Sequence, residues 1–396
     1  MKSVSSKRLD FTNKSLFSDR SNPSRQLLSP RFKFNVLNPY KPSISSSQQH
    51  LIDLVKSKLE SKEYKLVHHD CPCGDQDNDS ILSEIDRYGL QLRSVLCLNC
   101  GIVRINPYLD ETSLTDFYTN IYRKMYAMDI HSGNYDDYFL SQAVYAEKML
   151  RVSQDFLNSD SWICEVGCGG GGALKVFQDK GYNTAGCDYD LQALEVGRQK
   201  GVKNLYYGSL DVVTSNLKGI KFDLIYLHHV FEHLSDPVGF LKDCQRSLSP
   251  KGRIILVVPD ISKIDQFGHP AAVGNLLMYL HIAHKYNFSL EGLRQLSGKA
   301  GYSVDKLNPD RRIKTSWSKA PELWVQLQAD LNISKAQYMG NKASNKAASD
   351  MLKYLQRTEK LYSFGFCKGQ ILNKLKSAMS PERWLIKLKK LFYSAS

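Results

Sequence analysis

The stretch SWICEVGCGGGGALKVF, residues 161–177, decides the fold. Trp162 to Val166 reads as an apolar strand with Glu165 near its end. Six of the seven residues from Gly167 to Ala173 are glycine or cysteine, and a helix-forming run follows. Glycine turns sharply and puts no Cβ between the backbone and whatever approaches it, so the loop predicts a close neighbour. Outward from this stretch, strand-like and helix-like segments alternate. NTAGCDY (183–189), KNLYYG (203–208), FDLIYLHH (222–229) and GRIILVVP (252–259) read as strands, with helices at 172–179, 191–200 and 237–248. That alternation predicts a parallel sheet covered by helices on both faces. Ligands of such sheets bind at the carboxyl ends of the strands, where the glycine loop lies. Helical stretches at 270–285 and 289–301 come next, then strand-like YSVDKL and ELWVQLQ, then a helical tail from 349.

Gly167, Gly169 and Gly172 also fit G-x-G-x-x-G, so a dinucleotide-binding domain is a rival, although that match alone is weak. Three features weigh against it. Glu165 precedes the loop, where a carboxylate suits a cationic ligand and repels a pyrophosphate. The fourth strand continues as FDLIYLHHVFEHLSDP (222–237). CQRSLSPKGRIILVVPD (244–260) is a helix, a Pro-Lys-Gly turn and a strand. With EVGCGGG at 165–171 and Asp188 in GCDYD, these elements resemble class I S-adenosylmethionine-dependent methyltransferases over residues 161–310.

The resemblance implies an α/β, doubly wound, Rossmann-like sheet of seven strands. The last strand runs antiparallel, with ELWVQLQ its candidate. It implies S-adenosylmethionine as cofactor, with Gly167, Gly169 and Gly171 beside the methionine part and Glu165 holding the ammonium end. Asp188 takes the ribose hydroxyls, and His228 and His229 line the pocket. Gly208-Ser209 stands where the family has Gly-Asp, leaving the adenine contact to Ser209 or to Asp211. The sulfonium is already activated, so the protein chiefly has to align a nucleophile with the methyl group. An alcohol or carbon nucleophile also needs a base. His233, after the fourth strand, is the first candidate. His281 and His284, three apart on the expected 270–285 helix, share one face, and His284 is the second candidate. The bland alternative for His233 is a structural histidine at the turn before Asp236-Pro237.

CPCG (71–74) and CLNCG (97–101) place Cys71, Cys73, Cys97 and Cys100 in two close pairs, the pattern of a structural tetrahedral zinc site. His68 or His69 could replace a ligand of the tighter first pair. The other cysteines of the sheet region read as small apolar fillers. The cysteine module, an aromatic stretch FYTNIYRKMY and the sheet domain together resemble zinc-bearing methyltransferases of sugar and surface-glycan pathways over about 65–310. That narrower resemblance implies a sugar-linked or other small polar acceptor methylated on oxygen or carbon. HIAHKYNFS departs from the Tyr-x-Glu-His of the carbon methylators, since Ala283 replaces the Glu.

The net charge of +13 is concentrated at the two ends, because residues 1–50 hold nine Lys/Arg against two Asp and residues 351–396 hold ten against two Glu. The near-neutral middle, with no Asn/Asp-Pro-Pro-aromatic signature, disfavours a nucleic-acid methyltransferase. A non-catalytic ligand-binding protein of the same fold is the other alternative. The reading divides the chain into a disordered basic tail (1–50), a zinc module (51–110), an aromatic helical lid (111–160), the methyltransferase domain (161–330) and a basic helical region (331–396). With no apolar run of membrane-spanning length and no secretory h-region, the expected location is cytoplasmic. SPERWLIKLKKLFYS (380–394) forms a basic amphipathic helix able to meet a membrane surface or a protein.

Overall fold

Seven β-strands form the central sheet: β1 (Trp162–Val166), β2 (Asn183–Asp188), β3 (Leu205–Tyr207), β4 (Phe222–His228), β5 (Leu248–Pro259), β6 (Tyr302–Lys306) and β7 (Glu322–Ala329). The computed structural model describes residues 27–36, 44–76, 78–126, 134–266, 273–309, 320–330 and 342–377. The strand order is β6-β7-β5-β4-β1-β2-β3. β7, the ELWVQLQ strand, runs antiparallel to both β5 and β6. The pairings β5–β4, β4–β1, β1–β2 and β2–β3 are parallel. β1 therefore lies at the point where the order reverses, and a ligand crevice opens beyond its carboxyl end.

The strands are buried on both sides, as a sheet covered twice requires. In β4, Leu224 and Tyr226 face a core that contains Met149 and Phe177. Ile225 and Leu227, pointing the other way, join Val213, Leu241 and Leu296. Helices α1 (Tyr135–Ser153), α2 (Gly172–Asp179) and α3 (Leu191–Gln199) contribute to the first core. α4 (Leu210–Asn216), α5 (Pro237–Ser247) and α6 (Leu290–Lys299) contribute to the second. Side chains cap the helix starts: Asp190 on α3, Asp236 with Pro237 on α5, and Ser289 on α6. Each such cap contributes about 1 kcal/mol. Because Phe139, Tyr145, Ala146 and Met149 sit in the sheet's own core, α1 is a layer of the domain and not part of a separate lid.

Three other expectations are corrected. Residues 27–36 are not a disordered tail, since Phe32 is fully buried and Arg31 pairs with Glu359 at 2.6 Å. Glu359 lies on the last helix, α7 (Lys342–Ser377). A helix also starts at Ser46, four residues inside the expected tail, with Ser45 and Gln48 forming a reciprocal capping box. The 270–285 helix is absent among the described residues, where Leu276–Met278 is a single 3-10 turn. Finally, the cysteine module does not stand alone. Its strands Asp79–Ser83, Ser94–Cys97 and Val103–Ile105 are joined by Tyr286–Asn287 in one four-stranded sheet. Cys71, Cys97, Cys100 and Ile102 share a core with α6. No described helix is long and apolar enough to cross a membrane, and residues 380–394 lie outside the described residues.

Candidate functional site

The loop after β1 takes the left-handed turns its glycines allow, with φ of +76° at Gly167, +53° at Gly169 and +73° at Gly171. What comes close to this backbone is first the protein itself. A Cβ on Gly169 would stand 2.6 Å from Gln142 Nε2 and 2.7 Å from the Tyr138 hydroxyl, both on α1. Gln142 threads the loop with its amide, donating to Cys168 O at 2.6 Å and accepting from Gly170 N at 3.1 Å. Asp188 ends β2 and takes the Gly169 amide at 2.7 Å and the Asp190 amide at 2.8 Å. Arg123 lies over that carboxylate at 3.4 Å and on Asp190 at 2.7 Å.

Glu165 is 1% exposed, and its two oxygens accept from Tyr145 and Tyr226, the latter at 2.9 Å. Burial pushes its carboxyl up to about 8 against those two hydrogen bonds. His228 stacks on Tyr145 with ring centroids 3.9 Å apart and is held neutral by burial, its pKa lowered to about 3. His229, with φ of +54°, reaches Glu322 and Glu232 at 3.3 Å each. The two carboxylates outweigh burial and raise it to about 10, an imidazolium at neutral pH. Burial is the largest influence on Glu322, yet the histidines and Trp324 Nε1 bring it down to about 2.

These groups stand around a cavity of about 1050 Å³, lined by Gly167, Asp188, Ser209, His228, His229, His233 and His284 among others; Gly169, Gly171, Glu165 and Asp211 do not line it. His233 Nδ1 lies 2.6 Å from Ala283 O. A carbonyl only accepts, so Nδ1 carries the proton and Nε2 keeps its lone pair. His284 Nε2 is 3.8 Å from Glu232 Oε1. The rings of His233 and His284 are 5.0 Å apart, and His281 packs on His284 at 3.7 Å. His281 and His284 thus meet in a turn and not on a helix face. A π-helical segment, Phe117–Tyr122, followed by Arg123–Tyr126, supplies the opposite wall. Its Tyr118, Tyr122 and Tyr126 stack in a ladder with steps of 4.9 and 5.1 Å.

Several of these groups escaped sequence reasoning. Glu232 stands one residue before His233 and supplies a carboxylate beside His284. It is 1% exposed, and its Oε1 is ion-paired with His229 Nδ1 at 3.3 Å. One of its oxygens and one ring nitrogen each of His233 and His284 lie within 4.8 Å of one another, as do one donor atom each of His228, His229 and Glu322. Arg123, Tyr145, Gln142 and Glu322 carry no local motif that marks them.

The four thiols of Cys71, Cys73, Cys97 and Cys100 also come within 4.8 Å of one another. Cys71–Cys100 is 3.5 Å and Cys73–Cys97 is 3.7 Å, far from disulfide length. Tetrahedral zinc at a Zn–S distance of about 2.3 Å needs sulfurs about 3.8 Å apart, so the group fits. Gly74 and Gly101 follow the two pairs at φ of +94° and +75° and turn the chain back. The four sulfurs complete the group without His68 or His69.

The family model described as a methyltransferase domain matches residues 139–307. The ubiquinone biosynthesis O-methyltransferase of Haemophilus ducreyi is 28% identical over 102 residues, 24% of this chain and 43% of that protein. The protein of the same description from Acinetobacter baumannii strain AYE is 29% identical over 97 residues, 23% of this chain and 41% of its own. The chain thus spans less than half the length of the curated relatives it matches. Among solved structures, the plantazolicin methyltransferase BpumL in complex with SAH covers 55% of this chain and 94% of its own, at 17% identity and a TM-score of 0.40. With its strand order, glycine loop and family match taken together, the chain carries a class I S-adenosylmethionine-dependent methyltransferase domain over residues 139–307.

Proposed function

We propose that the chain transfers the methyl group of S-adenosylmethionine to oxygen or carbon of a small polar acceptor, a sugar or glycan precursor. The observation that carries the reading is the meeting of two ends in one cavity. Gly167 and Asp188 mark the donor end, and His233 and His284 face the tyrosine ladder beyond it. In this reading Gly167, Gly169 and Gly171 frame the methionine part, while Glu165 acts through Tyr145 and Tyr226 on the cationic end. Asp188 keeps lone pairs for the ribose hydroxyls once Arg123 moves off. Ser209 faces the adenine, and His233 or His284 takes the acceptor's proton. The bound cofactor supplies an activated methyl group; the chain's own residues align the acceptor and exclude water. Release of S-adenosylhomocysteine from S-adenosylmethionine, screened over sugar phosphates and sugar acids, tests this. Turnover on none of them, with the cofactor bound, would favour a binding protein of the same fold.

Glu165 gives the reading a pH signature. A cationic ligand favours the carboxylate, while the empty chain holds the proton up to about 8. S-adenosylhomocysteine affinity should therefore rise roughly tenfold per pH unit below 8 and flatten above it. In the ligand-free chain the raised carboxyl stabilises the fold fully below its ordinary value of 4.5, and this contribution is lost as pH rises through 8. Calorimetric titrations at pH 6, 7, 8 and 9 check the slope, and a flat series would separate Glu165 from the ligand's charge.

Zinc in the four-thiol group belongs to the same proposal, as a structural ion. Because Cys71, Cys97 and Cys100 pack with α6 and the sheet core, stripping it should lower the melting temperature of the whole chain, not only of its N-terminal part. Metal analysis should find one zinc per chain; a chain purified without chelator that holds none and takes up none contradicts this.

A second reading of acceptor activation is favoured by Glu232, whose buried carboxylate, ion-paired with His229, also lies beside His233 and His284. Two histidines and one carboxylate are a ligand set for a divalent cation that could bind an acceptor oxygen. It requires a second metal ion per chain, lost in Glu232→Gln.

A further inference from the structure

The cavity continues past the histidines to a charged group that the donor end does not use. From His284 the rings run to His281, which packs on Tyr126 at 5.2 Å. The Arg87 guanidinium lies 5.5 Å from the Tyr126 ring and 4.8 Å from that of Tyr88. Arg87 donates from Nη2 to the Tyr88 hydroxyl at 2.6 Å and from Nη1 to Met278 O at 3.4 Å. Its backbone amide is fixed on Leu280 O at 2.7 Å. Among the described residues no carboxylate pairs with this guanidinium. The adjacent Asp86 spends its oxygens on the amides of Tyr88, Leu90 and Ile282.

The charges around the cavity are divided by position. Its lining acids are Asp188 and Asp190, both at the donor end and both held by Arg123. The acceptor end has Arg87 and no lining acid. A half-buried guanidinium that no carboxylate among the described residues pairs directly, with only the adjacent Asp86 acting on it at longer range, has N–H donors in a planar fork to offer. An anionic oxygen is the group that completes it, and a neutral acceptor leaves its charge unmatched.

We propose that the acceptor carries an anionic group, phosphate or carboxylate, which Arg87 binds at the far end of the tyrosine ladder from the methyl donor. This rests on the reading of the cavity as a joint donor and acceptor site, and it narrows the acceptor class to sugar phosphates or sugar acids. Arg87 then sets the acceptor's position along the ladder, so that the group to be methylated comes to rest beside His233 and His284.

The test uses the full chain saturated with S-adenosylhomocysteine, titrated calorimetrically with glucose 1-phosphate, glucuronate and neutral glucose. At least one anion should bind more tightly than glucose, and which one binds tells phosphate from carboxylate. Arg87→Met should weaken that anion about tenfold or more and leave glucose unchanged, while Arg87→Lys should restore part of the loss. Neither anion exceeding glucose on the wild type, or equal anion binding by wild type and Arg87→Met, overturns the proposal. S-adenosylhomocysteine affinity reports the donor end separately. If it is intact while the anions fail, Arg87 is the error; if it is absent from the wild type, the methyl-transfer reading itself fails.

Discussion

Replacing His233 or His284 by alanine is expected to lower turnover roughly 10²–10⁴-fold, the usual worth of general-base catalysis. S-adenosylhomocysteine affinity should stay within a few-fold. His233 is held by its Nδ1 donation to Ala283 O, so its Nε2 keeps the lone pair that a base needs. His284 has the Glu232 carboxylate at 3.8 Å to stabilise the imidazolium formed as the acceptor's proton arrives. Burial lowers both histidines, and His284 is lowered further by its coupling to His233 and by the positive charges of Arg87 and His229. The limb on which rate rises with pH should therefore lie below the ordinary imidazole value near 6.5, and the rate should be flat through neutrality. This displaces the pH 6–7 rise that an unperturbed imidazole would give. Full turnover in both variants would remove the histidine base and point to an amine acceptor that needs no strong base.

Gly169→Val should abolish S-adenosylhomocysteine binding. Valine is β-branched, and at φ of +53° it costs about 1–3 kcal/mol in backbone strain alone. Its Cβ would also meet Gln142 Nε2 at 2.6 Å and the Tyr138 hydroxyl at 2.7 Å. The loop or α1 has to give way. Movement of the loop breaks the Gly169 N–Asp188 bond that sets it against β2, and movement of α1 withdraws Gln142 from Cys168 O and Gly170 N. Calorimetry checks the binding, and a melting curve of the variant separates loss of the site from loss of the fold. Unchanged affinity would take the loop out of the site.

The sheet was legible because each strand states itself locally. The continuous apolar run of Leu224, Ile225, Tyr226 and Leu227, buried on both faces of the sheet, and the glycine run after Glu165 are properties of adjacent residues. Cys71, Cys73, Cys97 and Cys100 were readable for the same reason, as close pairs. What the sequence hid is what depends on distant partners. Helical spacing suggested a helix for 270–285, but tertiary pairing of Tyr286–Asn287 with Val103–Arg104 pulls the chain into turns instead. Phe32 and Arg31 looked like tail residues because their partners are distant in sequence: Glu84 N donates to Phe32 O, and Asn275 and Glu359 accept from Arg31. Glu322 reaches His229 across 93 residues and Gln142 reaches Cys168 across 26, with no spacing rule to announce either. Glu232 alone was within reach, one residue from His233, and the histidines around it drew the eye first.

The central claim is that the strand-end crevice of this chain holds S-adenosylmethionine, not a dinucleotide. Calorimetric titration of S-adenosylhomocysteine into the full-length chain, repeated with excess NAD present, tests it most directly. The account predicts one site per chain with an affinity that NAD leaves unchanged; absence of binding, or displacement by NAD, would contradict it.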